Sequence, residues 1–210
     1  MVEVNCETDF VARNDKFQSL LGLVAQAALD ADPSAVDPTT SELSADGIAA
    51  VKVPSGMSIN EAVADVAGTV RENMQFRRAF LLHTTGVVGS YLHTSPSPGL
   101  GRIGAMVALE AADGSSLDGE GGEKVRDLGK KLAMHVVAAK PQFLDRHSVT
   151  PEALEAEKKM LTEQAAATGK PANIIEKMVM GRMGKYYEEF CLLDQKYVMD
   201  DGKSISAVVK

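Results

Sequence analysis

The spacing of the apolar residues changes several times along this sequence, and that change limits the fold more than any other feature. Val2, Val4 and Cys6 alternate with polar residues, as in a β-strand with one buried face. Residues 102–110 alternate in the same way. In residues 59–70 and 125–136 the apolar side chains instead recur every three or four positions, which is typical of amphipathic helices. The sequence therefore predicts short strands mixed with helices.

Helix-starting residues indicate where several of the helices begin. Thr8 is a good cap and Asp9 suits the positive end of a helix, so we expect a helix from there to about residue 29. Residues 58–61 form a capping box that opens another helix. Thr150-Pro151 begins a further helix, and Gly169-Lys170-Pro171 interrupts it. Residues 151–190 are therefore predicted to form an antiparallel helical hairpin.

Three strands are expected in the middle of the chain and one near its end. Residues 76–82 and 87–93 are separated by Thr84-Thr85-Gly86, which predicts that they pair as a β-hairpin. Residues 102–110 would form the third strand. Residues 197–199 are predicted to form a last short strand.

Composition excludes several classes of protein. The 210 residues carry a formal net charge of −7, which argues against a nucleic-acid-binding protein that neutralises phosphates. No apolar run approaches the length of a membrane-spanning helix. Cys6 and Cys191 show no metal-binding spacing, so neither a disulfide framework nor a zinc site is predicted.

One glycine pattern points superficially to an enzyme. Residues 99–104 match G-x-G-x-x-G, but a dinucleotide site needs a strand before this pattern and a helix after it. Here a Ser/Pro-rich loop precedes and a strand is expected to follow. The four histidines (83, 93, 135 and 147) contain no pair four residues apart, as a helical metal site would require. We therefore predict no catalytic, cofactor-binding or metal-binding residues; a nucleotide-dependent enzyme remains a competing hypothesis.

Two residues allow two interpretations each. Phe10 lies in the first turn of a predicted helix, where it would either join the core or form an exposed tip that enters another protein. His135 shares a helical face with Leu128 and Leu132. It would be either a core histidine with satisfied hydrogen bonds or a histidine presented to a partner near the end of its helix.

Residues 2–14, with Thr8-Asp9-Phe10-Val11 at their centre, carry the most specific pattern in the chain. They resemble the signature of the elongation factor Ts family of translation factors, and the resemblance continues in the order found in that family. The further matching stretches are residues 72–78, 88–93, 102–104, 134–141, 169–171, 176–182 and 197–199.

The resemblance implies a guanine-nucleotide exchange factor for elongation factor Tu, not itself an enzyme, that binds both the GDP-bound and the nucleotide-free partner. By motif match, Thr8, Asp9, Phe10 and Val11 would form the tip that enters the GTPase domain near its magnesium ion. Phe10 would be the wedge and Asp9 the anchor of the tip. The stretch Ile103-Gly104 and His135 match further contact positions. No cofactor, direct contact with nucleic acid or contact with a membrane is implied.

The family's fold is a two-lobed α+β core, each lobe an antiparallel sheet with helices, plus a projecting helical hairpin. We expect residues 1–86 to form the N-terminal lobe and residues 87–210 the C-terminal lobe, with the hairpin at 151–190. Some family members dimerise through that hairpin, so a homodimer, or a dimerising adaptor without exchange activity, is the alternative function.

The sequence differs from the family in two ways, and one of its loops is similar to that of a particular group of members. The family's small N-terminal three-helix domain and its final strand are not in this sequence, so reduced exchange and an unpaired sheet edge are expected. The loop at residues 94–103 is most like that of plant or algal mitochondrial members. A mitochondrial location is therefore predicted, with the chloroplast or a bacterial cytoplasm as alternatives.

Overall fold

The computed structural model describes residues 1–117 and 119–210, and it confirms the α+β class. The strands are β1 (Val2–Cys6), β2 (Met74–Ala79), β3 (Val87–His93), β4 (Ile103–Leu109), β5 (Lys196–Tyr197) and β6 (Asp200–Ser204). The helices are α1 (Asp9–Ala12), α2 (Asp15–Ala28), α3 (Ala45–Ala50), α4 (Ile59–Val70), α5 (Gly119–Ala139), α6 (Pro151–Ala166), α7 (Ala172–Phe190) and α8 (Ile205–Val208). The described strands pair as three antiparallel sheets of two strands each: β1 with β2, β3 with β4 and β5 with β6.

The described residues form two compact units, residues 1–131 and residues 132–210. The boundary predicted between residues 86 and 87 concerns the lobes of the family core and stays a prediction. In the first unit, the buried faces of α2 and α4 pack with β1 and β2 into one apolar core. Phe17 and Leu20 on α2 and Ile59 on α4 are among its most buried side chains.

The helix expected from Thr8 to about residue 29 is two helices. Asn14 interrupts it, because its backbone is extended and its side chain accepts a hydrogen bond from Lys16 N–H at 2.9 Å, which starts α2. The short first segment, α1, is therefore a separate helix from α2. A competing cap inside a continuous apolar pattern is difficult to detect from periodicity alone.

The predicted hairpin of residues 76–82 with residues 87–93 is wrong. β2 pairs with β1, with Cys6 opposite Met74, and β3 pairs with β4. The Thr-Thr-Gly turn faces the end of β4, where Thr84 Oγ1 donates to Glu110 Oε1 at 2.8 Å.

The second sheet lies against α5 at a pair of glycines. A Cβ atom on Gly89 of β3 would overlap the backbone of Gly129, so this close approach of strand and helix requires glycine. The Tyr197–Met199 segment is also different from the prediction. Only Tyr197 lies in a strand, and Val198 and Met199 form the turn between β5 and β6.

In the second unit, α6 and α7 pack against each other as a hairpin, with the bounds that the sequence predicted. Thr150 caps α6 by accepting from Ala153 N–H at 3.3 Å, and Pro151 occupies its first turn. Leu161, Ala165 and Met183 are the buried side chains of the pair.

Candidate functional site

The tip helix, α1, is a single turn that projects from the end of β1. Thr8 is its cap, with an extended backbone and a side-chain oxygen that accepts from Val11 N–H at 3.4 Å. Asp9 is the first helical residue, where a carboxylate is favoured by the helix dipole. One turn is too short to be stable in isolation, so its conformation depends on its contacts with the rest of the chain.

Adjacent residues of the tip helix point in different directions, one into the core and one outward. Val11 is only 6% exposed and belongs to the apolar core of the first unit, whereas Phe10 is 80% exposed. Successive side chains of a helix are about 100° apart, so anchoring Val11 in the core turns Phe10 outward. The interpretation of Phe10 as a core residue is therefore wrong.

A carboxylate distant in sequence holds the cap of the tip helix. Thr8 N–H donates to Glu72 Oε2 at 3.1 Å, and Thr8 Oγ1 lies 2.7 Å from Oε1 and 2.9 Å from Oε2 of the same side chain. Asn73 N–H donates in return to Glu7 Oε2 at 3.4 Å. The β1–β2 register, with Cys6 opposite Met74, brings these two segments together.

The Cys6 thiol makes a further contact beneath the tip. Burial, reinforced by the negative charge of Glu72, raises the pKa of Cys6. The thiol therefore stays protonated and donates to Thr8 O at 3.3 Å. This arrangement makes Cys6 a weak nucleophile and a structural contact of the cap.

Asp9 links the tip to the beginning of β4. Its Oδ2 lies 3.3 Å from Arg13 Nη2 and 3.8 Å from Arg102 Nη2. These side chains are more than half exposed, so each pair contributes little to stability. Arg102 directly precedes Ile103, which is 48% exposed, and Gly104. Six of the seven predicted site residues, 8–11 and 103–104, therefore lie in neighbouring segments of the first unit.

His135, the seventh, lies in the second unit and has no exposed surface. Its Nε2 is 2.9 Å from Gln195 Oε1, and its Nδ1 accepts from Val198 N–H at 3.3 Å. Both ring nitrogens are thus occupied, as in a core histidine with satisfied hydrogen bonds. The ring cannot touch a partner without rearrangement, but it holds the turn whose Val198 and Met199 are each about half exposed.

The glycine pattern at residues 99–104 lacks the geometry of a dinucleotide site. Gly99 and Gly101 lie in a loop, and the strand β4, not a helix, follows them. Among residues 1–117 and 119–210, no group of three or more His, Cys, Asp or Glu side chains could hold a metal ion. None of the helices described is both long and apolar enough to cross a membrane.

Glu72 and Arg102 contact two of the predicted site residues, and the sequence reasoning did not identify them. Both belong to stretches that carry the family resemblance, and that was the available signal. Their partners lie 64 and 93 positions away, at Thr8 and Asp9, so only the strand pairing and the fold reveal the contacts.

Phe10, exposed on an anchored one-turn helix, is an apolar surface feature of the kind that protein–protein interfaces bury. A sequence model of the family described as "Elongation factor TS" matches residues 7–210. The chain is 44% identical to "Elongation factor Ts, mitochondrial" of Ricinus communis and 45% identical to "Elongation factor Ts" of Paramagnetospirillum magneticum. Both alignments cover the whole of this chain, and respectively 57% and 62% of the relatives.

The corresponding protein of Zea mays, also described as mitochondrial, is 44% identical over 56% of its own length. The chain thus spans less than two thirds of these relatives. It belongs to the elongation factor Ts family.

Proposed function

We propose that this chain is a guanine-nucleotide exchange factor for elongation factor Tu, and that α1 is the element that loosens GDP. The observation that carries the proposal is the orientation of the tip: Phe10 is exposed while its neighbour Val11 is fixed in the core. Because Val11 anchors α1 in the core, the backbone of the tip loses little conformational freedom on binding, which favours an interface anchor.

Exchange requires that the factor bind nucleotide-free Tu more tightly than it binds Tu·GDP. By thermodynamic linkage, GDP weakens the binding of the factor as much as the factor weakens the binding of GDP. A wedge that fits only when the magnesium and phosphate site is disturbed provides this difference in affinity. The chain itself performs no bond chemistry in this scheme and is not an enzyme.

The site residues have distinct roles in the proposal. Phe10 enters the partner, Asp9 directs the tip, and Thr8 and Val11 fix α1 to the core. Ile103 and Gly104 extend the contact surface beside Arg102. His135 acts indirectly, by holding the exposed turn at Val198 and Met199.

The test is stopped-flow release of a fluorescent GDP from elongation factor Tu, with the parent chain and with Phe10→Ala. We expect acceleration by the parent and a loss of about 30-fold in the variant, because an aromatic interface anchor contributes about 2 kcal/mol. The thermal midpoint should be nearly unchanged, since Phe10 is mostly exposed. Leu29→Ala is the matched control, because Leu29 is also an exposed apolar residue but lies at the end of α2.

A parent chain that binds Tu without accelerating GDP release would overturn the exchange function. Equal rates for the parent and Phe10→Ala would overturn the wedge but not the exchange.

Two further features belong to the proposal. We assign the chain to the mitochondrion, on the likeness to plant mitochondrial relatives, although relatives not described as mitochondrial are as similar. A second candidate function is homodimerisation through residues 151–190. It is favoured by the exposed apolar side chains of this hairpin: Met160, Ile174 and Met180.

A further inference from the structure

We propose that Glu72 is the positioning residue of the exchange tip. It would complete the cap of α1 from outside the helix and so hold Phe10 in the orientation that enters the partner. This inference rests on the proposed function, because it assigns to Glu72 a role in the same site.

The first argument is the completion of a capping motif. In a capping box, the third helical residue carries a carboxylate that accepts from the backbone N–H of the cap. In α4, Glu61 does this for Ser58, accepting from its N–H at 2.7 Å and from its hydroxyl at 2.8 Å. In α1 the equivalent position is Val11, which has no carboxylate. Glu72 provides the missing acceptor at 2.7–3.1 Å from the Thr8 donors.

The second argument is why Val11 occupies that position. The third helical residue of α1 faces the core, and Val11 provides the apolar anchor there. A glutamate at position 11 would place a carboxylate in that core, at a high desolvation cost. In α1 the two roles therefore belong to different residues. Val11 packs in the apolar core, and Glu72 accepts hydrogen bonds from the cap residue Thr8.

The third argument is how Glu72 is itself held. Arg71, which ends α4, has φ of 60°, a left-handed conformation that reverses the chain and leads into β2. The neighbouring Asn73 N–H donates to Glu7. The β1–β2 pairing begins at the next position, with Cys6 opposite Met74. Glu72 therefore lies in a segment whose position relative to the tip is fixed by the β1–β2 pairing.

The test compares Glu72→Gln with Glu61→Gln. A glutamine keeps the size of the side chain but cannot accept two hydrogen bonds through two oxygens. The two carboxylates have the same capping chemistry in the same unit, but Glu61 lies in the first turn of the 12-residue α4, a helix about 18 Å long, and Glu72 lies just beyond its other end. Glu61→Gln therefore controls for a general loss of stability.

We expect Glu72→Gln to lower the maximal rate of stimulated GDP release by about 3- to 10-fold, the size of effect typical of losing one ordinary hydrogen bond. Glu61→Gln should leave that rate unchanged at a comparable thermal midpoint. In a double-mutant cycle, Glu72→Gln should cost less when Thr8→Val is already present, because the hydroxyl contacts with Glu72 are then absent and only the contact from Thr8 N–H remains. Additive losses, or equal losses in both glutamine variants, would overturn the inference.

A second measurement needs no partner. We expect the amide hydrogens of Val11 and Ala12 to exchange with solvent about 3- to 10-fold faster in Glu72→Gln and at the parental rate in Glu61→Gln. Unchanged exchange at these amides would overturn the positioning role. If the parent chain fails to release GDP while these amides respond as expected, the proposed function fails and the positioning of the tip stands.

Discussion

The buried His135 is a residue whose substitution should affect folding strongly. Replacing it by leucine puts an apolar side chain in the site and leaves Val198 N–H and Gln195 Oε1 without their partner. Buried donors and acceptors that lose a partner cost about 1–3 kcal/mol each. We expect His135→Leu to lower the free energy of unfolding by about 2–5 kcal/mol, measured by urea denaturation followed by circular dichroism.

The control for this variant is His147→Leu, in the same unit. His147 is exposed, so the loss should stay within about 0.5 kcal/mol. If the two variants lose equal stability, the hydrogen bonds of His135 contribute nothing measurable to folding.

At this scale the sequence predicted the cap of the tip better than the directions of the side chains that follow it. Thr8 as a cap was evident from its residue type and position. Whether Phe10 or Val11 faces the core was not, because both are apolar and adjacent in a one-turn helix. The break at Asn14 decides it, by separating α1 from the periodicity of α2. The role of Glu72 depends on a contact across 64 residues, which no local pattern contains.

Among the elements, the β1–β2 pair should respond to acid. Burial raises the pKa of Glu3, but hydrogen bonds and charge from Arg78 and Arg77 outweigh that effect and leave it below its usual value near 4.5. A carboxylate with a lowered pKa in the folded state stabilises the fold above about pH 4.5. It loses that contribution as the pH falls through its folded pKa.

We therefore expect the parent chain to lose stability as the pH falls below about 4.5, and Glu3→Gln to lose less over the same range. All three side chains are about one third exposed or more, so the difference should be at most about 1 kcal/mol and should shrink in high salt. The measurement is the thermal midpoint at each pH, with Glu163→Gln on α6 as a control. A parent and a Glu3→Gln variant with identical pH profiles would contradict the prediction.

Elements with their own local signals were predicted well. The ends of α6, the break before α7 and the start of α4 all follow from caps, prolines and glycine in the sequence. Strand partners were predicted less well. The Thr-Thr-Gly sequence fits a hairpin turn, but β2 finds its partner in β1, some 70 positions earlier. Periodicity shows that a segment is a strand, but it does not show which strand pairs with it.

For the whole molecule, family membership rests on motifs in a fixed order along the chain, and it does not require the fold to be known. The division into two units, in contrast, could not be predicted from motifs, because it depends on contacts between residues that are far apart in sequence. The net charge of −7 belongs to this scale too, because it disfavours non-specific attachment to nucleic acid.

The last prediction concerns self-association of the entire chain. Met180 on α7 is 69% exposed, and Met160 on α6 and Ile174 on α7 are also exposed, so the hairpin offers apolar surface to a second copy. We expect light scattering to show a mass that rises above 22.3 kDa as the concentration increases. Met180→Lys should shift that rise to at least tenfold higher concentration, because association would bury an unpaired ammonium group.

Leu144→Lys makes the same apolar-to-lysine change at an exposed position outside the hairpin, and it should leave the mass profile unchanged. A mass of 22.3 kDa at every concentration would exclude the dimer, and equal effects of the two lysine variants would place the contact elsewhere. Because Phe10 and Met180 lie in different units, the two functions can be separated. A dimer that persists in Phe10→Ala, together with GDP release that persists in Met180→Lys, would assign self-association to the hairpin and exchange to the tip.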